Sequence, residues 1–145
     1  MNRKGGAPAG PVDLLALLHT AYDAQAQVES KLSEVGLSLP KLLALRALSD
    51  AGDSMPLGQL AERLSCVKSN ITQLVDRLEG DGLVARQPDP RDRRTKLAVL
   101  TPAGRKACKD GTRIQHDAER ELLMALSHDE THTLAGLLGK LRRPG

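Results

Sequence analysis

The sequence predicts a mainly α fold with one small β-hairpin, an α+β class, and three observations predict it. Leucine supplies 26 of the 145 residues, beside 7 valines and 2 isoleucines, with no phenylalanine or tryptophan. An aliphatic composition of this kind favours helix over sheet. Apolar residues recur at helical spacing through most of the chain. Between Leu83 and Leu100 that spacing gives way to two short β-compatible segments around a basic loop holding two prolines. A chain of 145 residues has room for one core, and one continuous domain is expected.

Residues 1–11 are rich in glycine and proline and read as a disordered tail. Val12, Leu15, Leu18, Tyr22, Val28, Leu32 and Val35 then share one stripe of a first helix over residues 12–35, about 24 residues, ended by Gly36. Ser38 is the N-cap of the next helix, with Pro40 in its first turn, where a missing N–H costs nothing. Leu42, Leu45 and Leu48 carry this helix to Asp50, and Gly52 stops it. Pro56 opens a short helix whose Leu57, Leu60, Ala61 and Leu64 keep the spacing i, i+3, i+4, i+7. After a break at Ser65 and Cys66 the pattern restarts with Val67, Ile71, Leu74, Val75 and Leu78, and it ends near Gly80 and Gly82. Two short helices separated by such a break are a helix-turn-helix in outline.

Leu83–Arg86 and Leu97–Leu100 are the expected strands of the hairpin, and the prolines between them forbid helix. Thr101 and Pro102 form a cap and first-turn pair for a long helix through Ile114, Ala118, Leu122, Ala125 and Leu126. Gly104 and Gly111 fall inside it without a local reason. Ser127 and Glu130 have capping-box spacing and open a last helix striped by Leu134, Leu137, Leu138 and Leu141. The predicted order is four helices, two strands and two helices, without internal repeats.

Composition and charge exclude several function classes. Tyr22 is the sole aromatic residue, so base stacking on rows of rings is ruled out. Cys66 and Cys108 are too few for a disulfide scaffold or a four-thiolate zinc site, and a cytoplasmic protein is expected. No apolar run approaches membrane-spanning length, and the basic start lacks the apolar stretch of a secretory signal. The net charge is +3. Residues 86–96 hold five cations (Arg86, Arg91, Arg93, Arg94, Lys96) against Asp89 and Asp92, so the whole excess is local, as in an element that contacts anions.

The helix from Val67 to Glu79 carries the functional expectation. With its apolar residues inward, the other face presents Lys68, Ser69, Thr72, Gln73 and Asp76, with Asn70 near the N-terminal edge. Such side chains match the hydrogen-bonding edges of the major groove, which a recognition helix addresses from its N-terminal residues. Any surface helix has a polar face. The basic hairpin that follows adds specificity, because a hairpin beside a recognition helix is a wing. Arg91, Arg93 and Arg94 would enter the minor groove or straddle phosphates from its tip.

Leu60-Ala61-Glu62-Arg63-Leu64, Ile71-Thr72-Gln73-Leu74-Val75-Asp76-Arg77-Leu78-Glu79, Gly82-Leu83-Val84, Asp89-Pro90-Arg91-Asp92-Arg93-Arg94 and Leu100-Thr101-Pro102-Ala103-Gly104 follow one another in order. Together they resemble the MarR family of bacterial transcription regulators over about residues 12–143. The resemblance implies a winged helix-turn-helix homodimer on double-stranded DNA, usually a repressor at a palindromic operator. Residues 12–35 and 102–143 would form the helical dimerisation region, and residues 38–101 the DNA-binding region. By the same resemblance Arg94 reaches the minor groove, Asp92 braces the wing against Arg77, and Ser38 meets a phosphate. The long first helix and the Leu134–Leu141 stripe are also more apolar surface than a compact winged helix covers. An obligate dimer interface commonly buries about 2,000 Å² or more.

A small-molecule effector is a further expectation, in an aliphatic crevice touched by His19, Tyr22 and Arg46. Cys66, at the entry to the recognition helix and two residues from Lys68, is a candidate redox thiol. Family members that sense oxidants typically keep their cysteine in the first helix, where this chain has none, so that carry-over fails. His128 and His132 have zinc-compatible spacing, but Asp129 stands where a metalloprotease motif needs glutamate, and no third ligand is evident. No catalytic constellation can be assembled, and neither an enzyme nor a cofactor is expected. The alternative is a winged-helix adaptor that docks its basic hairpin on an acidic protein and binds no DNA.

Overall fold

Capping side chains define most helix starts in the computed structural model, which describes residues 10–65 and 68–142, the side chains of 68 and 69 excepted. The expectations for the first nine residues, for Cys66 and Val67, for the side chains of Lys68 and Ser69 and for residue 143 lie outside the described residues.

Asp13 accepts a hydrogen bond from the Ala16 N–H at 2.7 Å and caps α1 (Leu14–Ser33). The helix therefore begins two residues later than the apolar stripe suggests and has 20 residues, not about 24. Gly36, at φ +74°, turns the chain. Ser38 Oγ accepts from the Lys41 N–H at 3.3 Å and caps α2 (Leu39–Asp50), with Pro40 in the first turn as expected.

Next comes β1 (Ser54–Pro56), a strand the sequence did not announce. Three residues are too short to show a period of two, and Pro56 serves both as the end of the strand and as the cap position of α3 (Leu57–Arg63). After α4 (Lys68–Gly80) the hairpin is formed by β2 (Val84–Asp89) and β3 (Asp92–Leu100). The sheet is antiparallel in the order β1-β3-β2, with Met55 opposite Ala98 and Arg86 opposite Ala98 on the other side.

The hairpin is longer than the expected segments, Leu83–Arg86 and Leu97–Leu100. Its strands run out to a tight turn at Pro90 and Arg91. Proline 88 is accommodated because β2 is an edge strand, and the register shifts beside it, between Pro88 and Asp89.

Thr101 caps α5 (Pro102–Leu123) through a 3.0 Å bond from the Gly104 N–H. The helix stops three residues before the expected Leu126. Tertiary packing supplies the reasons for its glycines. A Cβ on Gly104 would stand 2.0 Å from the Leu83 carbonyl oxygen, and one on Gly111 would meet methyl groups of Leu42 and Leu37 at 2.8 and 2.9 Å. A reciprocal capping box between Ser127 and Glu130 opens α6 (His128–Leu141).

The core is aliphatic, as the composition requires. Leu32, Leu42, Leu45, Leu48, Leu60, Leu78, Val75 and Val84 are fully buried, and no polar or charged residue is buried among those described. The core joins α2, α3, α4 and the sheet, with Cys108 of α5 packed against it. By contrast α6 buries none of its residues, and Leu14, Leu15, Leu18 and Tyr22 of α1 stand exposed.

Candidate nucleic-acid interface

Ser65, in the turn after α3, adopts φ +53°, a left-handed conformation that a residue with a Cβ seldom takes. Helix α4 packs Ile71, Leu74, Val75 and Leu78 into the core. Asn70, Thr72, Gln73 and Asp76 are exposed on its other faces, as expected, and Arg77 is exposed with them.

The wing projects its cations freely. Arg91, Arg93, Arg94 and Lys96 are exposed, and none makes a salt bridge with a described residue. Carboxylates shape the turn that carries them. Asp89 accepts from the Arg91 N–H at 2.9 Å, and Asp92 accepts from the Arg94 N–H at 3.0 Å and from the Thr95 hydroxyl at 3.4 Å.

Asp92 thus braces the wing from within. The expected pair with Arg77 is a correction, because no ion pair joins the two and Arg77 stands exposed. A short aspartate side chain reaches the N–H two residues ahead more readily than a guanidinium on another element.

Arg86 is the other departure. Its charge falls within the basic segment expected to contact anions, yet its guanidinium turns onto α4, 2.7 Å from an Asp76 carboxylate oxygen. Ser38 is half-buried, and its oxygen already accepts the Lys41 N–H. The neighbouring Leu39 N–H donates to Glu29 of α1 at 3.0 Å. Neither the Ser38 hydroxyl hydrogen nor its own backbone N–H has a partner among the described residues.

An open cavity of about 1090 Å³ lies between α2 and α5, lined by Arg46, Arg105, Cys108, Lys109, His116 and Leu123 among others. Arg46 alone of the three expected crevice contacts borders it, and it also donates to Gln115 at 2.9 Å. His19 and Tyr22 are exposed on α1, His19 lying 3.4 Å from Asp23.

Burial pushes the Cys108 thiol up from its ordinary range, a rise only partly opposed by a hydrogen bond with Thr112 and by Arg46. The thiolate is the reactive form. In a Cys66→Ser background, Cys108 is expected to react with iodoacetamide at pH 8 far more slowly than in denaturant. Equal rates in the two conditions would contradict its burial. Among the described residues no three His, Cys, Asp or Glu side chains cluster as metal ligands, and no helix is long and apolar enough to cross a membrane.

Residues 37–96 match the MarR family. The multiple antibiotic resistance protein MarR of Salmonella typhimurium is 33% identical over 111 residues, which is 76% of each chain. The chain belongs to the MarR family. The uncharacterized HTH-type transcriptional regulator YcgE of Bacillus subtilis is likewise 33% identical, over 73% of this chain and 68% of its own length. The fold agrees with that of a mutant MarR from E. coli crystallised with operator DNA. The TM-score is 0.80 at 28% identity, over 90% of this chain and 94% of the other. The chain is accordingly a DNA-binding transcription regulator.

Proposed function

We propose that this MarR-family chain is a repressor that occupies a palindromic operator as a homodimer. The single observation that carries the proposal is the exposed polar face of α4 standing beside a wing whose Arg91, Arg93, Arg94 and Lys96 have no ion-pair partner among the described residues. Asn70, Thr72 and Gln73 read base edges in the major groove, Arg94 enters the minor groove, and Ser38 donates its hydroxyl hydrogen to a phosphate. Residues 12–35 and 102–143 join the two chains, which sets the recognition helices about 34–36 Å apart, one duplex turn. The support for pairing is α6, a 14-residue helix that buries nothing against its own chain. A helix of that length is marginal in water unless it is packed.

The protein works in the cytoplasm and performs no catalytic step, as its regulator homologues suggest. Release from DNA follows binding of a small molecule in the cavity bordered by Arg46, or oxidation at Cys66, either of which would favour a dimer whose two helices no longer match successive grooves.

Arg94→Ala tests the proposal. It should weaken specific binding by about 1–3 kcal/mol without changing the melting temperature. Wild-type affinity should also fall steeply with salt as phosphate counterions are released. Negligible affinity for every duplex, flat with salt, would overturn the proposal and favour an adaptor that docks on acidic protein.

A further inference from the structure

Arg86 differs from the other cations of the wing in what surrounds it. Nη2 lies 2.7 Å from Asp76 Oδ1 and 3.4 Å from the Thr72 carbonyl oxygen, and Nη1 lies 3.5 Å from Glu79 Oε1. Its backbone N–H donates to Glu79 Oε2 at 3.2 Å. Thr72, Asp76 and Glu79 are spaced i, i+4, i+7 along one side of α4, so one guanidinium spans two turns of the recognition helix. A planar fork with five N–H donors suits such a bridge, whereas an ammonium is a point charge on a flexible stem. The side chain is 23% exposed.

Apart from the core that Val75 and Leu78 share with Val84 and Ala98, α4 is joined to β2 by a short turn that contains Gly82 at φ +73°. Beyond it the wing is held by its strand partners in the sheet, and those partners do not belong to α4.

We infer that Arg86 is a positioning residue, a clamp that fixes the angle between wing and recognition helix so that major-groove and minor-groove contacts arrive as one rigid unit. The inference rests on the DNA-binding function proposed above. Preorganisation of this kind raises specific affinity by lowering the ordering cost of the second contact. The clamp also neutralises Asp76 and Glu79, two carboxylates on a helix that approaches phosphates. Because its charge is engaged with these carboxylates, Arg86 adds nothing to the count of phosphates the protein neutralises.

The test compares wild type, Arg86→Gln, Arg86→Lys and the double variant Asp76→Asn/Glu79→Gln. Each is titrated over a range of salt against a fragment selected from genomic DNA and against a scrambled duplex of the same length. Arg86→Gln and the double variant should each lower the ratio of specific to non-specific affinity by about tenfold, the scale of one lost base-reading pair. Arg86→Lys should fall between them and wild type. The slope of log K against log salt should not change in Arg86→Gln, whereas loss of a phosphate contact lowers it by about 0.9.

A slope lowered equally on both duplexes by Arg86→Gln, with tighter binding by the double variant, would make Arg86 a phosphate contact and overturn the clamp. An unchanged ratio in both variants would overturn it too. If Arg86→Gln does not fold, the double variant carries the test, since it leaves the arginine in place. A wild-type protein that binds no duplex refutes the DNA-binding function itself, and the clamp with it, which separates that failure from the others.

Discussion

Gly104→Ala is expected to destabilise the chain by about 3 kcal/mol, the upper end of the overpacking range, and to lower the melting temperature by roughly 10 °C. The added methyl would sit 2.0 Å from the Leu83 carbonyl oxygen, 3.0 Å from its carbon and 3.1 Å from Leu100 Cδ2. The obstacle is main chain, which cannot swing away as a side chain can. The Leu83 carbonyl is itself held, because it accepts the Thr101 N–H at 3.1 Å, and the Thr101 hydroxyl donates to the Gly82 carbonyl at 2.7 Å. Relief therefore requires parting the start of α5 from the entry to the wing. Gly58→Ala is the control, since nothing lies within 4 Å of its Cβ position, and its melting temperature should stay near that of wild type. A Gly104→Ala melt within a degree of wild type would contradict this packing.

Replacing Leu137 and Leu138 together by aspartate should remove operator binding while leaving the winged domain folded. These leucines are 52% and 42% exposed in the single chain, and Leu141 on α6 and Leu14, Leu15 and Leu18 on α1 are exposed as well. Burying four carboxylates across a two-fold interface is prohibitive unless the subunits part. Sedimentation should then report a monomer. Loss of the second recognition helix lowers affinity by the effective-concentration factor that linkage supplies, on the order of 10²–10⁴. A variant that stays dimeric, or a monomer that binds as tightly as wild type, would refute the role assigned to α6.

Local signals made much of this molecule legible. Ser38, Thr101 and the Ser127–Glu130 box each cap the helix that their position in the sequence predicts, whereas the cap at Asp13 lies inside the predicted apolar stripe. The spacing of Ile71, Leu74, Val75 and Leu78 oriented the recognition helix correctly. The features that escaped are set by contacts distant in sequence. Strand β1 exists because Ser54–Pro56 lies against Val99–Leu97, and three residues carry no periodic signal. Gly104 and Gly111 are required by Leu83, Leu37 and Leu42, which lie far from them in the sequence. Charge counting located a basic segment but could not separate Arg86, turned onto Asp76 and Glu79, from Arg94, which faces outward. The family resemblance likewise implies Arg77 as the partner of Asp92, whereas the donors that Asp92 binds are in its own turn.

The central claim is that two copies grip one duplex, each through α4 and its wing. Hydroxyl-radical footprinting on a fragment selected from genomic DNA, with the number of chains per duplex counted by native mass spectrometry, tests it most directly. Two chains per duplex and two protected patches one helical turn apart, about 34–36 Å, are predicted, with the minor-groove protection lost in Arg94→Ala. A single chain bound per duplex, or a protection pattern that Arg94→Ala leaves unchanged, would contradict it.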